Sequence, residues 1–416
     1  MIVVFDYMFV FSFRKYSILY LERKAMAVIE SDNQEAEKHL QVICNLIETQ
    51  GGDIHPSLVI RCENGALSVL GTKKDVQGKI LKVPHALLLP YDEFTLGIEN
   101  NEIVVKACSG NVTKDQAVLM DRMLALYACM DKLSAHRDAC PWLALRSTPD
   151  ILRSLACARE GVDIDMIRDE IEKNMVSDDF VIESFFKNRL LGCKLHGKEA
   201  KKAKVLMPII DFMDHHLRGS PYQNNYEEES SYLSVSLSQP VEGQSGCYAR
   251  YGTLDALDTY LHYSFVDTGA PFIRSVPMVI DLGDMGILKI HAQNRQVEKK
   301  DIPDSLSDLQ LYMPVINVHH AEKRAEISHI LIPQEHAPRS MYRILEFAIS
   351  LLAESAPEME KIGGTIHAER EILKQNSRFY AALPNPKDST SAHQMLEQLK
   401  EEQTKKLSVI KRLRDF

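Results

Sequence analysis

The sequence predicts an α+β fold, because strand-like and helical patterns alternate along the chain in four zones. Residues 58–90 contain short β-branched runs separated by Asn-Gly and Gln-Gly turns, which is typical of strands and hairpins. From 115 to 190 the apolar residues recur at helical spacing. Residues 232–290 return to strand-like alternation, and residues 337–413 are helical again. The predicted order is therefore strands, helices, strands and a helical tail.

The helical zones carry apolar stripes that predict buried faces. Residues 28–50 resemble an ordinary amphipathic helix. The stretch "DQAVLMDRMLALYACMDKL" places apolar side chains at i, i+4 and i+7, and "FVIESFFKNRLLG" (180–192) continues this period. In the last helix the apolar stripe is barely as long as a coiled coil requires, so we expect that helix to pack inward. The stripe consists of Leu396, Leu399, Leu407, Ile410 and Leu413.

Length, composition and charge narrow the class of protein. The chain has 416 residues, of which 45% are apolar, enough for two to three domains with a sizeable core. Its formal net charge of -9 argues against direct nucleic-acid binding, because neutralising phosphates requires a basic surface. Eight cysteines include no C-x-x-C pair and lie mostly among apolar neighbours. They indicate free thiols, and we expect a reducing, cytoplasmic location.

Residues 1–27 are predicted to be an extension outside the folded domains. The stretch "MIVVFDYMFVFSFRKYSILYLERKA" has an apolar run broken by Asp6, no basic beginning and no small-residue cleavage site, so it makes a poor signal peptide. It is also shorter than the roughly 20 apolar residues that span a membrane. Translation from Met26 is the simpler interpretation. No other segment is apolar enough to cross a bilayer, so we expect no membrane association.

A cluster of acidic and histidine side chains stands in "MPIIDFMDHHLRGSPY" (207–222). Asp211, Asp214, His215 and His216 first suggest a metal site. Zinc requires three or four convergent ligands, however, and no matching pair occurs at i+4 or at another ligand spacing. We therefore expect no metal site in this stretch.

Four motifs occur in order on both sides of the helical zone. They are "GALSVLGTKKDVQGKILKVP" (65–84), "FFKNRLLG" (185–192), "MPIIDFMDHH" (207–216) and "GQSGCYARYGTLDALDTYLHYSFVD" (243–267). With these motifs the chain resembles the SET-domain protein methyltransferases of the Rubisco large-subunit type, over roughly residues 35–413. Any one of these motifs alone is weakly specific. Four of them in order around a helical insert make the resemblance more specific.

The resemblance implies a domain organisation. A SET domain of short twisted β-sheets, with a knot-like crossing, would comprise residues 28–110 and 193–285. Its helical insert would be residues 111–192. A mostly α-helical substrate-binding domain would follow at residues 286–416.

The resemblance also implies a cofactor, S-adenosyl-L-methionine. The residues it assigns to the cofactor are Gly65, Ala66, Leu67, Arg189, Asp214, His215 and Tyr251. Arg189 would pair with the cofactor's carboxylate, since a guanidinium fork suits such a charge-assisted contact. The other interpretation of Arg189 is a surface salt bridge on a helix.

The implied reaction is methyl transfer to the side chain of a lysine, or of a histidine, in a protein. Tyr251 and Tyr263 are the implied catalytic residues. The hydroxyl of Tyr251 would lie near the methyl group and the amine, while Tyr263 and Phe265 would line the substrate channel. The alternative for each tyrosine is a half-buried strand residue whose hydroxyl has an ordinary hydrogen-bond partner.

Several positions depart from the family's motifs. The second glycine of the first-strand G-x-G motif is Leu67, whose side chain would crowd the cofactor pocket by roughly 1 to 3 kcal/mol if it points inward. Asp214 replaces an asparagine and so lacks that residue's hydrogen-bond donors. Asp255 and Ser264 stand where the family has an asparagine and a glycine.

Two functional hypotheses follow. The first is a working methyltransferase whose partner is a non-histone protein substrate. The absence of a cysteine cluster around Cys247, of the kind that binds zinc after many histone-type SET domains, favours a non-histone target by analogy. The second is a degenerate SET protein that lost cofactor affinity and acts as a protein-binding scaffold, with Leu67 filling the adenosyl pocket.

Overall fold

Strands from both ends of the helical zone pair with each other in the computed structural model. The structure describes residues 27–71, 76–159, 176–195, 201–226, 231–241, 246–334, 339–384 and 390–414. Most of the predicted N-terminal extension and parts of several loops lie outside these ranges. Strands and helices both contribute many elements, so the predicted α+β class is confirmed.

The first strand-rich part begins with a short strand and one amphipathic helix. Residues 28–50 were predicted to be helical, but residues 28–31 form a strand because they pair in parallel with residues 59–62. Its elements are β1 Val28–Ser31, α1 Gln34–Thr49, β2 Asp53–Ile54, β3 Leu58–Glu63, β4 Ala66–Gly71, β5 Val76–Pro84, β6 Leu89–Pro90, β7 Phe94–Glu99 and β8 Glu102–Cys108. Helix α1 begins after Asn33, whose side chain accepts hydrogen bonds from two free backbone N–H groups of the first turn. The turn between β3 and β4 consists of Asn64 and Gly65, both with positive φ, as a two-residue hairpin requires.

The helical zone follows as predicted. Its described helices are α2 Lys114–Cys129, α3 Lys132–Ala139, α4 Pro141–Ala144, α5 Pro149–Cys157 and α6 Asp178–Lys187. Helix α2 begins with a capping box, in which Thr113 and Gln116 bond each other's backbone N–H groups. The side chains of the predicted stripe, Leu119, Met123, Leu126, Met130 and Leu133, are all buried.

The chain then returns to short strands. These are β9 Leu190–Cys193, β10 Ala203–Leu206, β11 His215–Ser220, β12 Tyr222–Asn225 and β13 Tyr232–Val241. Residues 190–192 were predicted to continue the helical period and are instead part of a strand, because these residues pair with β10 in a sheet ordered β6-β10-β9. Strand β13 pairs antiparallel with β5, within the order β12-β13-β5-β2. The β13–β5 pairing joins residues that lie more than a hundred positions apart, whereas β9 and β10 follow each other in the sequence.

The remaining elements are helical at both ends and strand-rich between. They are α7 Ala256–Tyr263, β14 Phe272–Arg274, β15 Met278–Asp281, β16 Ile287–Ile290, β17 Ile316–His319, β18 Arg324–Ile327, β19 Leu331–Pro333, α8 Ser340–Leu352, α9 Glu358–Ala382 and α10 Ser391–Arg414. The predicted boundary at residue 286 falls inside the β15–β16 hairpin, which belongs to a sheet ordered β15-β16-β18-β17. The mostly helical part therefore begins later than predicted, at Ser340.

Two hydrophobic cores support these elements. The first joins α1, α2 and α6 to strands β3, β5, β10 and β13. The second joins α5 and α7 to the sheet containing β16 and to the last three helices. Within α10, Leu396, Leu399, Leu407 and Ile410 are buried, so the predicted inward packing of this helix is confirmed. The Leu413 side chain lies outside the described residues.

Residues 214–220 wrap closely around Ala249. The N–H of Ala249 donates to the carbonyl of Asp214 at 2.9 Å, and the N–H of Ser220 donates to the carbonyl of Tyr248 at 3.0 Å. A Cβ atom on Gly219 would lie 2.7 Å from the backbone of Ala249, so only glycine permits this approach. The contact fixes His215 and Tyr251 beside each other.

Candidate active site

A cavity of about 510 Å³ lies where separate parts of the chain meet. One wall is the face of α3 formed by Lys132, Ala135, His136 and Ala139, at i, i+3, i+4 and i+7. The two alanines leave space along this face. The volume lies within the range of small-molecule and cofactor sites.

Seven of the predicted site residues line this one cavity. They are Leu67, Arg189, Asp214, His215, Tyr251, Tyr263 and Phe265. Gly65 and Ala66 do not line it. Gly65 adopts φ +71° in the β3–β4 turn and lines a separate depression beside Cys62, and the Ala66 side chain is exposed. The geometry therefore gives these two residues no contact with the cavity.

Four aromatic rings form a continuous wall of the cavity. The ring centres of His215 and Tyr251 lie 5.1 Å apart, those of Tyr251 and Tyr263 4.8 Å apart, and those of Tyr263 and Phe265 6.4 Å apart. Such a wall favours cationic groups, because the face of an aromatic ring carries negative charge.

Tyr263 lies on a helix, whereas residues 232–290 were predicted to form strands. It is the last residue of α7, and Ser264 ends the helix in the left-handed conformation with φ 58°. This conformation suits glycine, which the resemblance expects at position 264, so serine keeps the turn at some cost in backbone strain. The turn places Phe265 on the same wall as Tyr263.

Tyr251 is held at both its backbone and its side chain. Its N–H donates to Nδ1 of His215 at 3.1 Å, and its hydroxyl donates to the carbonyl of Met213 at 2.6 Å. Burial raises the pKa of the Tyr251 hydroxyl well above its ordinary value, and nearby Asp211 and Asp214 raise it further. Burial also raises the pKa of Tyr263, to about 12. Both phenols are therefore protonated at neutral pH.

Arg189 is bound by protein groups rather than exposed on a helix surface. Its side chain is 18% exposed, and its Nε lies 3.9 Å from Oδ2 of Asp211. Its Nη1 donates to the carbonyl of Phe185 at 2.9 Å, and its Cζ lies 3.9 Å from the centre of the Phe185 ring. The alternative of a surface salt bridge is therefore wrong. One of its N–H groups is bonded to Phe185, and its charge lies close to that of Asp211.

Asp211 also accepts a hydrogen bond from the hydroxyl of Tyr127 at 2.6 Å. Burial raises the pKa of the Asp211 carboxyl, and Arg189 opposes this shift. Sequence reasoning missed Tyr127, because its position within α2 resembles that of any other buried helical residue.

Two oppositely charged side chains in the cavity lack protein partners. Lys132, the first residue of α3, is half-buried, whereas Asp214 is exposed toward the cavity. Among the described residues, neither side chain takes part in a salt bridge or a hydrogen bond. Burial lowers the pKa of Lys132, chiefly opposed by Asp211. Sequence reasoning missed Lys132, which differs from an ordinary surface lysine only in its surroundings.

Asp255 lies outside the cavity, in a fully buried ion cluster of Arg159, Asp255, Asp258 and Arg274. Nη2 of Arg159 lies 2.8 Å from Oδ2 of Asp255, and its Nε lies 2.7 Å from Oδ1 of Asp258. Nε of Arg274 lies 3.0 Å from the other oxygen of Asp258. Asp255 also caps α7 by accepting from the N–H of Asp258. The acidic residue at position 255 therefore has a structural role.

Neither a metal centre nor a membrane-spanning helix is found in the described ranges. No group of three or more His, Cys, Asp or Glu side chains within them could hold a metal ion. No helix in the same ranges combines the length and apolar character that a bilayer crossing requires. His216 stacks on Tyr248, with ring centres 5.4 Å apart.

No family model and no curated protein sequence matches this chain. Solved structures that resemble it include the SET domain of LSMT bound to lysine and AdoHcy, at 11% identity and a TM-score of 0.41, covering 90% of each chain. Rubisco LSMT bound to AdoMet matches at 12% identity and a TM-score of 0.41, covering 90% of this chain and 91% of the other.

Proposed function

We propose that the protein is an S-adenosyl-L-methionine-dependent methyltransferase that acts on a lysine side chain of a non-histone protein. The observation that carries this proposal is the convergence of Leu67, Arg189, Asp214 and Tyr251 on one cavity. These residues come from four distant motifs, each assigned to the same cofactor by resemblance alone. A reducing, cytoplasmic location remains our expectation.

The cavity's composition fits a cationic cofactor. A sulfonium gains from the faces of the Tyr251, Tyr263 and Phe265 rings. Asp211 and Asp214 add negative charge, and the hydroxyls and backbone groups nearby offer polar contacts for a nucleoside. The cofactor supplies an electrophilic methyl group when bound.

The protein's own contribution is alignment, exclusion of water and control of a proton. A lysine amine at neutral pH must lose a proton before it attacks, which costs about 4 to 5 kcal/mol in water. The apolar surroundings of Tyr251, Tyr263 and Phe265 disfavour the charged ammonium and so lower this cost. The Tyr251 hydroxyl donates a hydrogen bond to the backbone carbonyl of Met213. Its oxygen can therefore accept a hydrogen bond from the substrate amine. Neither tyrosine needs to act as a base.

The second candidate function is a protein-binding scaffold, and the position of Leu67 favours it. The Leu67 side chain lines the cavity and packs against the first core. If the cofactor requires that space, binding would be lost while the fold is kept. The cavity that remains beside Leu67 argues for the enzyme.

The test is calorimetric titration with S-adenosylhomocysteine of the unmodified protein and of Leu67→Gly. The matched control is Ser68→Gly, which places the same residue type in the adjacent position of β4, facing the other side of the strand. Binding by the unmodified protein supports the methyltransferase. Absence of binding that Leu67→Gly restores and Ser68→Gly does not would support the scaffold. Tyr251→Phe should bind the ligand and lose methyl transfer.

A further inference from the structure

The cavity contains a cation and an anion that do not neutralise each other. Lys132 on α3 and Asp214, whose carbonyl accepts from the N–H of Ala249, both line the cavity. Asp214 acts to raise the pKa of Lys132, and Lys132 acts to lower the pKa of Asp214. No salt bridge joins the two side chains among the described residues. A partly buried charge without a partner costs stability, because it loses water without gaining a contact. Such an arrangement is favourable once a ligand supplies both missing charges.

Arg189 is less suited to this task than the sequence suggested. Its guanidinium already contacts Asp211, the carbonyl of Phe185 and the Phe185 ring. A ligand carboxylate would have to share this charge with Asp211, which lies 3.9 Å away. Lys132 has no carboxylate within 4.0 Å among the described residues, so its charge is the less neutralised of the two.

We propose that Lys132 and Asp214 together bind the α-amino-acid end of the ligand, Lys132 its carboxylate and Asp214 its ammonium. A zwitterion is the chemical group that offers one charge of each sign a few bonds apart. This inference rests on the proposed function for the identity of the ligand, in which the amino acid is attached to a nucleoside. A free α-amino acid presents the same charges, so the experiment must separate the two sources.

The test compares three probes by calorimetry: S-adenosylhomocysteine, 5′-methylthioadenosine, which lacks the amino-acid end, and free methionine. Lys132→Met should weaken binding of S-adenosylhomocysteine about ten- to hundredfold, as expected for losing a charged hydrogen bond. Binding of 5′-methylthioadenosine should change less than about twofold. Lys132→Arg should retain most of the affinity, because it keeps the positive charge.

Three further variants refine this test, and the first of them is a control. Lys114→Met removes an exposed lysine from the same first position of another helix, α2, and should leave all affinities unchanged. Asp214→Ala should weaken S-adenosylhomocysteine selectively, because it removes the oxygens that would accept from the ammonium. Arg189→Met should lower the melting temperature and affect both nucleosides to a similar extent, because it disturbs the wall rather than one end of the ligand.

The outcomes separate this inference from the proposed function. If the unmodified protein binds both nucleosides but Lys132→Met weakens them equally or not at all, the inference is wrong and the proposed function stands. A selective loss in Arg189→Met instead would also overturn it. If neither nucleoside binds but methionine does, and Lys132→Met abolishes that binding, the inference stands with a free amino acid and the proposed function fails. Binding of none of the three probes overturns both.

Discussion

The ion cluster around Arg159 and the charged groups of the cavity use the same residue types with opposite results. In the ion cluster, both carboxylates have charged partners within 3.0 Å and the side chains are at most 5% exposed. In the cavity, Arg189 and Asp211 lie 3.9 Å apart, while Lys132 and Asp214 have no ion-pair partner in the described chain. The paired charges of the buried ion cluster therefore stabilise the fold. The unpaired charges of Lys132 and Asp214 lie where a ligand can supply the missing opposite charges.

The largest effect should come from breaking the ion cluster. Arg159→Met leaves Asp255 and Asp258 buried beside each other with one cation fewer, which should cost about 3 to 5 kcal/mol of the free energy of unfolding. Urea unfolding followed by circular dichroism would measure this loss. The control is Arg153→Met, because Arg153 forms an exposed salt bridge with Asp150 and should matter little. Equal stability of the two variants would contradict the structural role of the cluster.

A second effect should appear on acidification. Burial lowers the pKa of His136 from 6.5 to about 3, so the folded state resists its protonation. The stability that this neutral histidine contributes is complete above pH 6.5 and is lost as the pH falls toward 3. At pH 5 the loss should be about 2 kcal/mol.

Thermal unfolding between pH 7.5 and 4.5 would measure the change. His136→Gln keeps a hydrogen-bond donor near the hydroxyl of Ser184, which His136 contacts at 2.9 Å, but cannot be protonated. The dependence of its melting temperature on pH should be shallower than that of the unmodified protein. An unchanged slope would assign the acid sensitivity to other groups, such as His329, whose pKa is also lowered to about 3.

A smaller effect is expected within the cavity wall. Tyr127→Phe removes the hydroxyl that donates to Asp211 and should reduce the free energy of unfolding by about 1 kcal/mol. Chemical denaturation would measure it. Tyr91→Phe, which alters a half-buried tyrosine outside the cavity, is the matched control. A loss as large as that of Arg159→Met would remove the distinction between the two regions.

The smallest effect should be that of Lys132→Met without ligand. Because no described residue pairs with Lys132, removing its charge should leave the melting temperature unchanged or raise it slightly. Differential scanning calorimetry would measure this. A clear drop in melting temperature would mean that Lys132 has a structural partner and would weaken its assignment to the ligand.

The sequence predicted those features that depend on local pattern. The helical stripe of α2, the hairpin turn at Asn64–Gly65 and the inward face of α10 follow from spacing and turn chemistry alone. The four motifs supplied seven residues that line one cavity. Local pattern also failed where pairing with a neighbouring strand decides, since residues 190–192 were predicted as helix and pair instead with β10.

The rest of the site depends on neighbours that a single sequence does not display. Lys132 and Tyr127 belong to helices whose periodicity explains them without any function, and only their position against Asp211 and Asp214 distinguishes them. Asp255 looked like a substituted motif residue, yet it is fixed by Arg159, which is 96 positions away. The sequence showed which residue types were present, but the charges that face each other became known only from the fold.

Binding of an adenosyl amino acid in this cavity is tested most directly by titrating the unmodified protein with S-adenosylhomocysteine. We expect a single site with a dissociation constant in roughly the micromolar range. Absence of measurable binding at millimolar ligand, with the protein folded, would contradict it.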